Sequence, residues 1–245
     1  METNDPCGTE RAAAALVGTI KKTEEAGSAT GCADPGGHVA LLGDSIFDNG
    51  SYTRGQPDVV SHLRAVLPPD WAATLCAVDG ATVPRLAGQL RRVPLEATHL
   101  AVAIGGNDAL QNIDLLDTRV ASTRQALAIF GERIAAFEAA YRTALAEVLG
   151  LGRSVVVCTI YNGNLEGETA RHATLALTLF NDVILRVAFE LGIDVVDLRA
   201  VCSQPADYAN PIEPSGEGGR KIADAVARAA GAVGGDASAR VWTDR

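Results

Sequence analysis

Three short stretches of the chain carry groups that can act on a carbonyl. In VALLGDSIFDN, residues 39–49, an apolar run from Val39 to Leu42 meets the turn Gly43-Asp44-Ser45. Ser45 supplies a hydroxyl, which becomes a nucleophile when a neighbouring base takes its proton. Taken alone, a Ser after Gly-Asp reads as a turn former or a helix cap. A second apolar run ends at Asp79-Gly80, where a Gly lets the backbone approach a ligand and leaves an N–H at a strand-to-helix turn. A third ends at Gly105-Gly106-Asn107-Asp108, where Asn107 offers a side-chain amide. The Ser45 N–H, the Gly80 N–H and the Asn107 amide make three neutral donors around one hydroxyl. That is the set needed to stabilise the oxyanion of acyl transfer. A fourth run ends at Tyr161-Asn162, whose side chains are candidates to line the same pocket, although loop structure alone would explain them.

The elements between these stretches decide whether the groups can meet. Apolar runs bounded by Gly, Asp and Asn predict buried parallel strands over 39–42, 73–78, 99–104, 154–160 and 194–198. Between them, helical periodicity predicts helices from Pro57-Asp58 to Leu67, from Thr82 to Leu90, over 119–149 with a break near Gly131, over 169–191 and over 217–230. Strand and helix alternate five times, which predicts an α/β fold: a five-stranded parallel sheet with helices on both faces and right-handed crossovers. In such a sheet all strand ends lie on one edge, the edge where open α/β sheets bind ligands. Ser45, Gly80, Asn107 and Asn162 thereby become neighbours. Residues 1–37, ending in GSATGCADPGG, read as an N-terminal extension and linker, residues 38–232 as one domain, and residues 233–245 as a tail.

Composition narrows the partners. Thirty acids against 21 bases give a net charge of −9, which argues against nucleic acid and anionic membrane surfaces. Aromatics are only 4%, too few for a base-stacking platform or a membrane aromatic belt. No apolar run approaches the roughly 20 residues that span a bilayer, and the start, METNDPCGTE, is acidic rather than signal-like. A soluble, cytoplasmic chain acting on a small molecule is the expectation; the oligomeric state is open. The five Cys and four His are scattered without metal-ligand spacing, so no metal or other cofactor is expected.

GDSIFDN at 43–49, Gly80, GGND at 105–108, and Pro214-Ser215 before a Gly-rich helix start resemble the SGNH, or GDSL, hydrolases over about residues 38–232. The resemblance implies a flavodoxin-like three-layer α/β/α sandwich and hydrolysis of esters, including acetylated sugars, thioesters and lipids. It also implies Ser45 as the nucleophile, and an oxyanion hole made by the N–H groups of Ser45 and Gly80 and the side chain of Asn107.

One block departs from the family. Its C-terminal DxxHPS, which supplies an Asp and the His base, here reads Asn210-Pro211-Ile212-Glu213-Pro214-Ser215. In one reading Glu213 is the base: a Glu of ordinary pKa, about 4.3, is weak, but burial can raise it towards neutrality. Asn210 would then suit a carboxylate neighbour, because it is neutral and can donate a hydrogen bond to it. In a second reading another His substitutes, with His172 the best placed. In a third the chain is a catalytically weak or inactive binding protein on the same fold. Asp44, Asn162 and Asn210 are further candidates for support or substrate contact. Few aromatics and no evident lid segment suggest a short acyl group.

Overall fold

The computed structural model describes residues 36–234. Most of the expected N-terminal extension, and the tail from 235 onward, lie outside them. Five strands form one sheet: β1 (His38–Gly43), β2 (Ala72–Leu75), β3 (His99–Ala103), β4 (Ser154–Cys158) and β5 (Asp194–Val196). Every pairing is parallel and the order is β2-β1-β3-β4-β5, the flavodoxin-like doubly wound order. The chain reverses its direction of winding between β1 and β3, so the crevice at their carboxyl ends is the switch point of the sheet. Ser45 follows β1 and Asn107 follows β3.

Helices cover both faces because each strand is apolar on both sides. Val39 and Leu41 of β1 belong to one buried cluster, with α1 (Val59–Val66) and α7 (Gly216–Ala229). Ala40 and Leu42 belong to the other, with α2 (Leu86–Leu90), α4 (Thr123–Leu149) and α5 (Gly167–Leu191). The result is the three-layer sandwich, with the sheet as its shared middle.

Local chemistry sets the helix starts. Asp58 is the cap of α1, its carboxylate accepting the Ser61 N–H at 2.9 Å, so the helix begins at Val59 rather than at Pro57-Asp58. Ser215 caps α7 in the same way through Gly218 N–H. Pro84 begins the segment after Thr82 as a 3₁₀ turn, Val83–Arg85, before α2. The expected break at Gly131 is absent: α4 runs through it without interruption, and packing along Phe137, Tyr141, Leu145 and Val148 anchors the helix beyond the weak point. Four short elements go beyond the expectation: α3 (Gly106–Leu110), a 3₁₀ segment Ile113–Asp117, α6 (Leu198–Val201) and a 3₁₀ segment Pro205–Asp207. Among the described residues no helix is long and apolar enough to cross a membrane.

Candidate active site

The turn that carries Ser45 is built by its neighbours. Gly43 has φ +138°, and a Cβ there would run into the Ala103 carbonyl of β3, so only Gly lets the two strand ends lie this close. Gln89 of α2, which the sequence did not single out, clamps this Gly: its Oε1 accepts the Gly43 N–H at 2.8 Å and its Nε2 donates to the Gly43 carbonyl at 2.7 Å. Asp44 N–H donates to the Ala103 carbonyl at 3.1 Å, and Asp44 Oδ1 accepts Ile46 N–H at 3.0 Å. These bonds hold Ser45 in a tight turn at the switch point.

The turn after β2 is tied down from two sides. Asp79 N–H donates to Asp48 Oδ2 at 2.9 Å. Asn107 Nδ2 donates to the Ala81 carbonyl at 3.0 Å, and the Asp108 carboxylate accepts Val83 N–H at 3.0 Å. Asp108 therefore acts at the start of a helical turn, as a turn acid rather than a base. Gly80 sits in this turn at φ +72°, a conformation that favours Gly. Asp48 and Asn49 are likewise structural: Asn49 is fully buried, accepts Val59 N–H at 3.0 Å, and donates to the Pro214 carbonyl at 3.3 Å.

That last bond joins the Ser45 loop to the C-terminal block, which is pinned throughout. Tyr208 and Pro214 form an antiparallel bridge, and Ala209 N–H donates to the Glu213 carbonyl at 2.8 Å. Tyr161 Oη donates to the Ile212 carbonyl at 2.7 Å, and its ring packs edge-on against Tyr208. Asn210 does not serve the carboxylate in the way expected of it. Its Oδ1 accepts the N–H groups of Ile212 and Glu213, each at 2.9 Å, so it fixes the Glu213 backbone as an Asx turn.

Glu213 is only 7% exposed and faces Ser45. Burial is the largest influence on its carboxyl and raises its pKa to about 7; the Ser45 hydroxyl opposes that rise and the charge of Asp79 adds to it. The second carboxylate oxygen of Glu213, Oε2, is buried with no partner. Asp44 is also raised to about 7, chiefly by burial, then by the charges of Glu213 and Asp108, against the bond from Ile46 N–H; its Oδ2 is likewise buried and unpartnered. The Glu213 carboxyl thus faces the hydroxyl, and burial holds both carboxyls well above the ordinary carboxylate range.

The four His stand elsewhere. His38 and His99 open β1 and β3, at the opposite edge of the sheet; His62 lies on α1, and His172 is exposed on α5. None lines the cavity at Ser45, so the reading in which another His substitutes has no candidate in place.

That cavity has a volume of about 180 Å³. Ser45, Glu213, Asp44, Asn107 and Asn162 line it together; Gly80 and Asn210 do not, although Gly80 adjoins Ala81, to which Asn107 is bonded. Away from this polar end the walls are apolar. They come from α3 and the 3₁₀ segment Ile113–Asp117 on one side and from α5 on the other. Thr169, Ala173, Ala176, Leu177 and Phe180 form one stripe of α5 facing the cavity, at helical spacing. The expectation of a short acyl group rested on few aromatics and the lack of an evident lid segment; within 106–117, Leu110, Ile113, Leu115 and Leu116 supply an apolar wall of the cavity. Among the described residues no cluster of three or more His, Cys, Asp or Glu is placed to hold a metal ion.

Comparison with known proteins follows this geometry. The family described as "GDSL-like Lipase/Acylhydrolase family" matches residues 41–221. No curated protein matches significantly. Among solved structures, the extracellular lipase of Streptomyces rimosus superposes with a TM-score of 0.61 at 18% identity, covering 79% of this chain and 99% of that one. Phospholipase A1 of Streptomyces albidoflavus gives 0.59 at 18% identity, with 79% and 99% covered. An acetylxylan esterase of Geobacillus stearothermophilus gives 0.56 at 22% identity, with 80% and 96% covered. At these identities the likeness is one of fold.

Proposed function

The chain belongs to the GDSL-like lipase/acylhydrolase family, and we propose that it hydrolyses a carboxylic ester through Ser45 with Glu213 as the base. One observation carries this reading: the buried Glu213 carboxylate faces the Ser45 hydroxyl on a loop pinned from several directions, where the family places its His.

Glu213 takes the proton as Ser45 Oγ attacks the ester carbonyl. The oxyanion lies among the Ser45 N–H, the Gly80 N–H and the amide of Asn107, which keeps one N–H beyond its bond to Ala81. Protonated Glu213 returns the proton to the leaving alcohol, and an acyl-Ser45 ester remains. Glu213 then takes a proton from water, which attacks the acyl carbon; Ser45 regains its proton and the carboxylic acid leaves. A carboxyl with a pKa near 7 suits both halves, because it accepts and donates a proton at neutral pH with little driving force lost.

The test is turnover of p-nitrophenyl esters. Ser45→Ala should abolish acyl-enzyme formation, and Glu213→Gln should lower kcat by about 10²–10⁴-fold. Only the carboxylate accepts a proton, so kcat/KM should rise with pH through about 7 and level off above it. A rate unchanged by Glu213→Gln removes Glu213 as base. An unlabelled Ser45 after fluorophosphonate treatment, with no ester turned over, leaves the alternative of a binding protein on this fold.

A further inference from the structure

Hydrolysis through Ser45 and Glu213 makes no use of Asp44, the second carboxyl in the cavity wall. Its side chain is 1% exposed; Oδ1 accepts Ile46 N–H, while Oδ2 is buried with no partner. A buried carboxylate oxygen without a partner is costly unless a ligand supplies one. Gly106 shows where that ligand has room. A Cβ there would lie 3.7 Å from Asp44 Oδ2 and 3.9 Å from Ile160 Cγ2, so the absent side chain leaves space in front of the oxygen. Gly106 and Ile160 both line the cavity.

The charges in the wall select the ligand. Asp44 and Glu213 line the cavity, and no Lys, Arg or His does. Glu213 and Asp108 act on Asp44, and Asp79 acts on Glu213, as like charges with no cation opposing them. A neutral donor would pair Oδ2 but leave these charges uncompensated; an ammonium group does both. A metal ion would need more ligands, and among the described residues no third acid or His joins the two carboxyls. Asp44 and Ser45 are consecutive, so an ammonium that pairs Asp44 while a carbonyl sits at Ser45 is attached close to that carbonyl. Beyond them the wall is apolar, through Leu115, Leu177 and Phe180. One carbon atom bearing a carbonyl, an ammonium and an apolar side chain meets all three surfaces.

We propose that Asp44 Oδ2 is an ammonium subsite, and that the substrate is an ester of an apolar α-amino acid. The ester rests on the proposed Ser45 chemistry; the ammonium subsite does not. Burial lifts the Asp44 carboxyl to about 7, and a bound ammonium would bring it back down by replacing lost hydration with an opposite charge.

Two measurements test it. In the first, kcat/KM at pH 7 is measured for leucine methyl ester and for methyl 4-methylpentanoate, the same ester without its amino group. A charge-assisted hydrogen bond should favour the amino ester by about tenfold or more. Asp44→Asn keeps the shape and the acceptor for Ile46 N–H, and Gly106→Ala sets a methyl group against Oδ2. Each should bring the ratio of the two rates towards one, a comparison within each variant that folding yield does not affect. Equal measurable rates in the wild type, a preference for the ester without the amine, or a ratio that either variant leaves unchanged overturns the proposal. In the second, Ser45→Ala is titrated calorimetrically with leucinamide and 4-methylpentanamide, which carry no ester. Leucinamide should bind about tenfold more tightly or better, and adding Asp44→Asn should remove the difference. If no ester is turned over but leucinamide binds in this way, the hydrolase reading fails and the ammonium subsite stands. Equal binding of the two amides overturns the subsite whatever the turnover.

Discussion

Ser45 and the two carboxyls beside it show how much a residue's surroundings change what its type allows. Asp44 and Glu213 ordinarily titrate at 3.8 and 4.5, and burial moves both to about 7. Burial is the largest cause in both, with the charge of Glu213 adding to the rise at Asp44. The same shifts bear on stability. Between their ordinary values and about 7 the folded chain holds protons that the unfolded chain has released, so stability falls as pH rises through that window. Well below 3.8 both carboxyls are neutral in either state and the penalty is absent. Glu213→Gln keeps the shape and removes the charge. It should therefore stabilise the protein at pH 8, by of order 1–2 kcal/mol after allowing for solvent at the cavity mouth, and leave it unchanged at pH 4. Thermal melts at the two pH values decide this, and equal shifts at both would show that Glu213 is not held against its charge. A variant more stable and less active at once is the mark of a carboxylate kept in place for its chemistry.

At the scale of elements, the site is a meeting of four loops, each stapled to the next by a side chain. Gln89 braces the β1 turn, Asn107 and Asp108 brace the turn after β2, and Asn49 and Tyr161 hold the C-terminal block. Tyr161 follows β4 and bonds Ile212, the residue before Glu213. Tyr161→Phe should remove this half-buried bond to the Ile212 carbonyl and destabilise the fold by about 1 kcal/mol. Because the loop it releases carries Glu213, the proposed base, kcat should fall by more than KM rises; chemical denaturation and steady-state kinetics on the same preparation separate the effects. An unchanged kcat would show that Glu213 is held well enough without it. The wall formed by α3 and the 3₁₀ segment is of another kind. Leu110, Ile113 and Leu116 recur every third residue but line the cavity and stay partly exposed rather than joining either buried core, so no buried stripe marks the segment in the sequence.

The whole molecule is two cores hung on one sheet. Leu41 and Leu42 are adjacent in sequence and fully buried, yet they belong to opposite faces. Leu41→Ala and Leu42→Ala should each destabilise by about 2–5 kcal/mol, and each should move a single transition seen at one midpoint by far- and near-ultraviolet circular dichroism. Two separated transitions in either variant would mean that the layers unfold independently. The same strands explain what was legible beforehand. A parallel strand buried on both faces must be a run of apolar residues, so all five appear in the amino-acid order, and with them the alternation that places Ser45, Gly80 and Asn107 at one edge. The sequence by itself thus determined the sheet, the edge and the turn that carries Ser45, because each follows from neighbours along the chain. Only the tertiary structure decided that Asn210 braces a backbone rather than a carboxylate, that Gly80 adjoins the cavity without lining it, and that Glu213 is shielded enough to hold a proton near neutral pH. Those depend on groups brought together from distant parts of the chain, as Asn49 is with Pro214, and on the water their packing excludes.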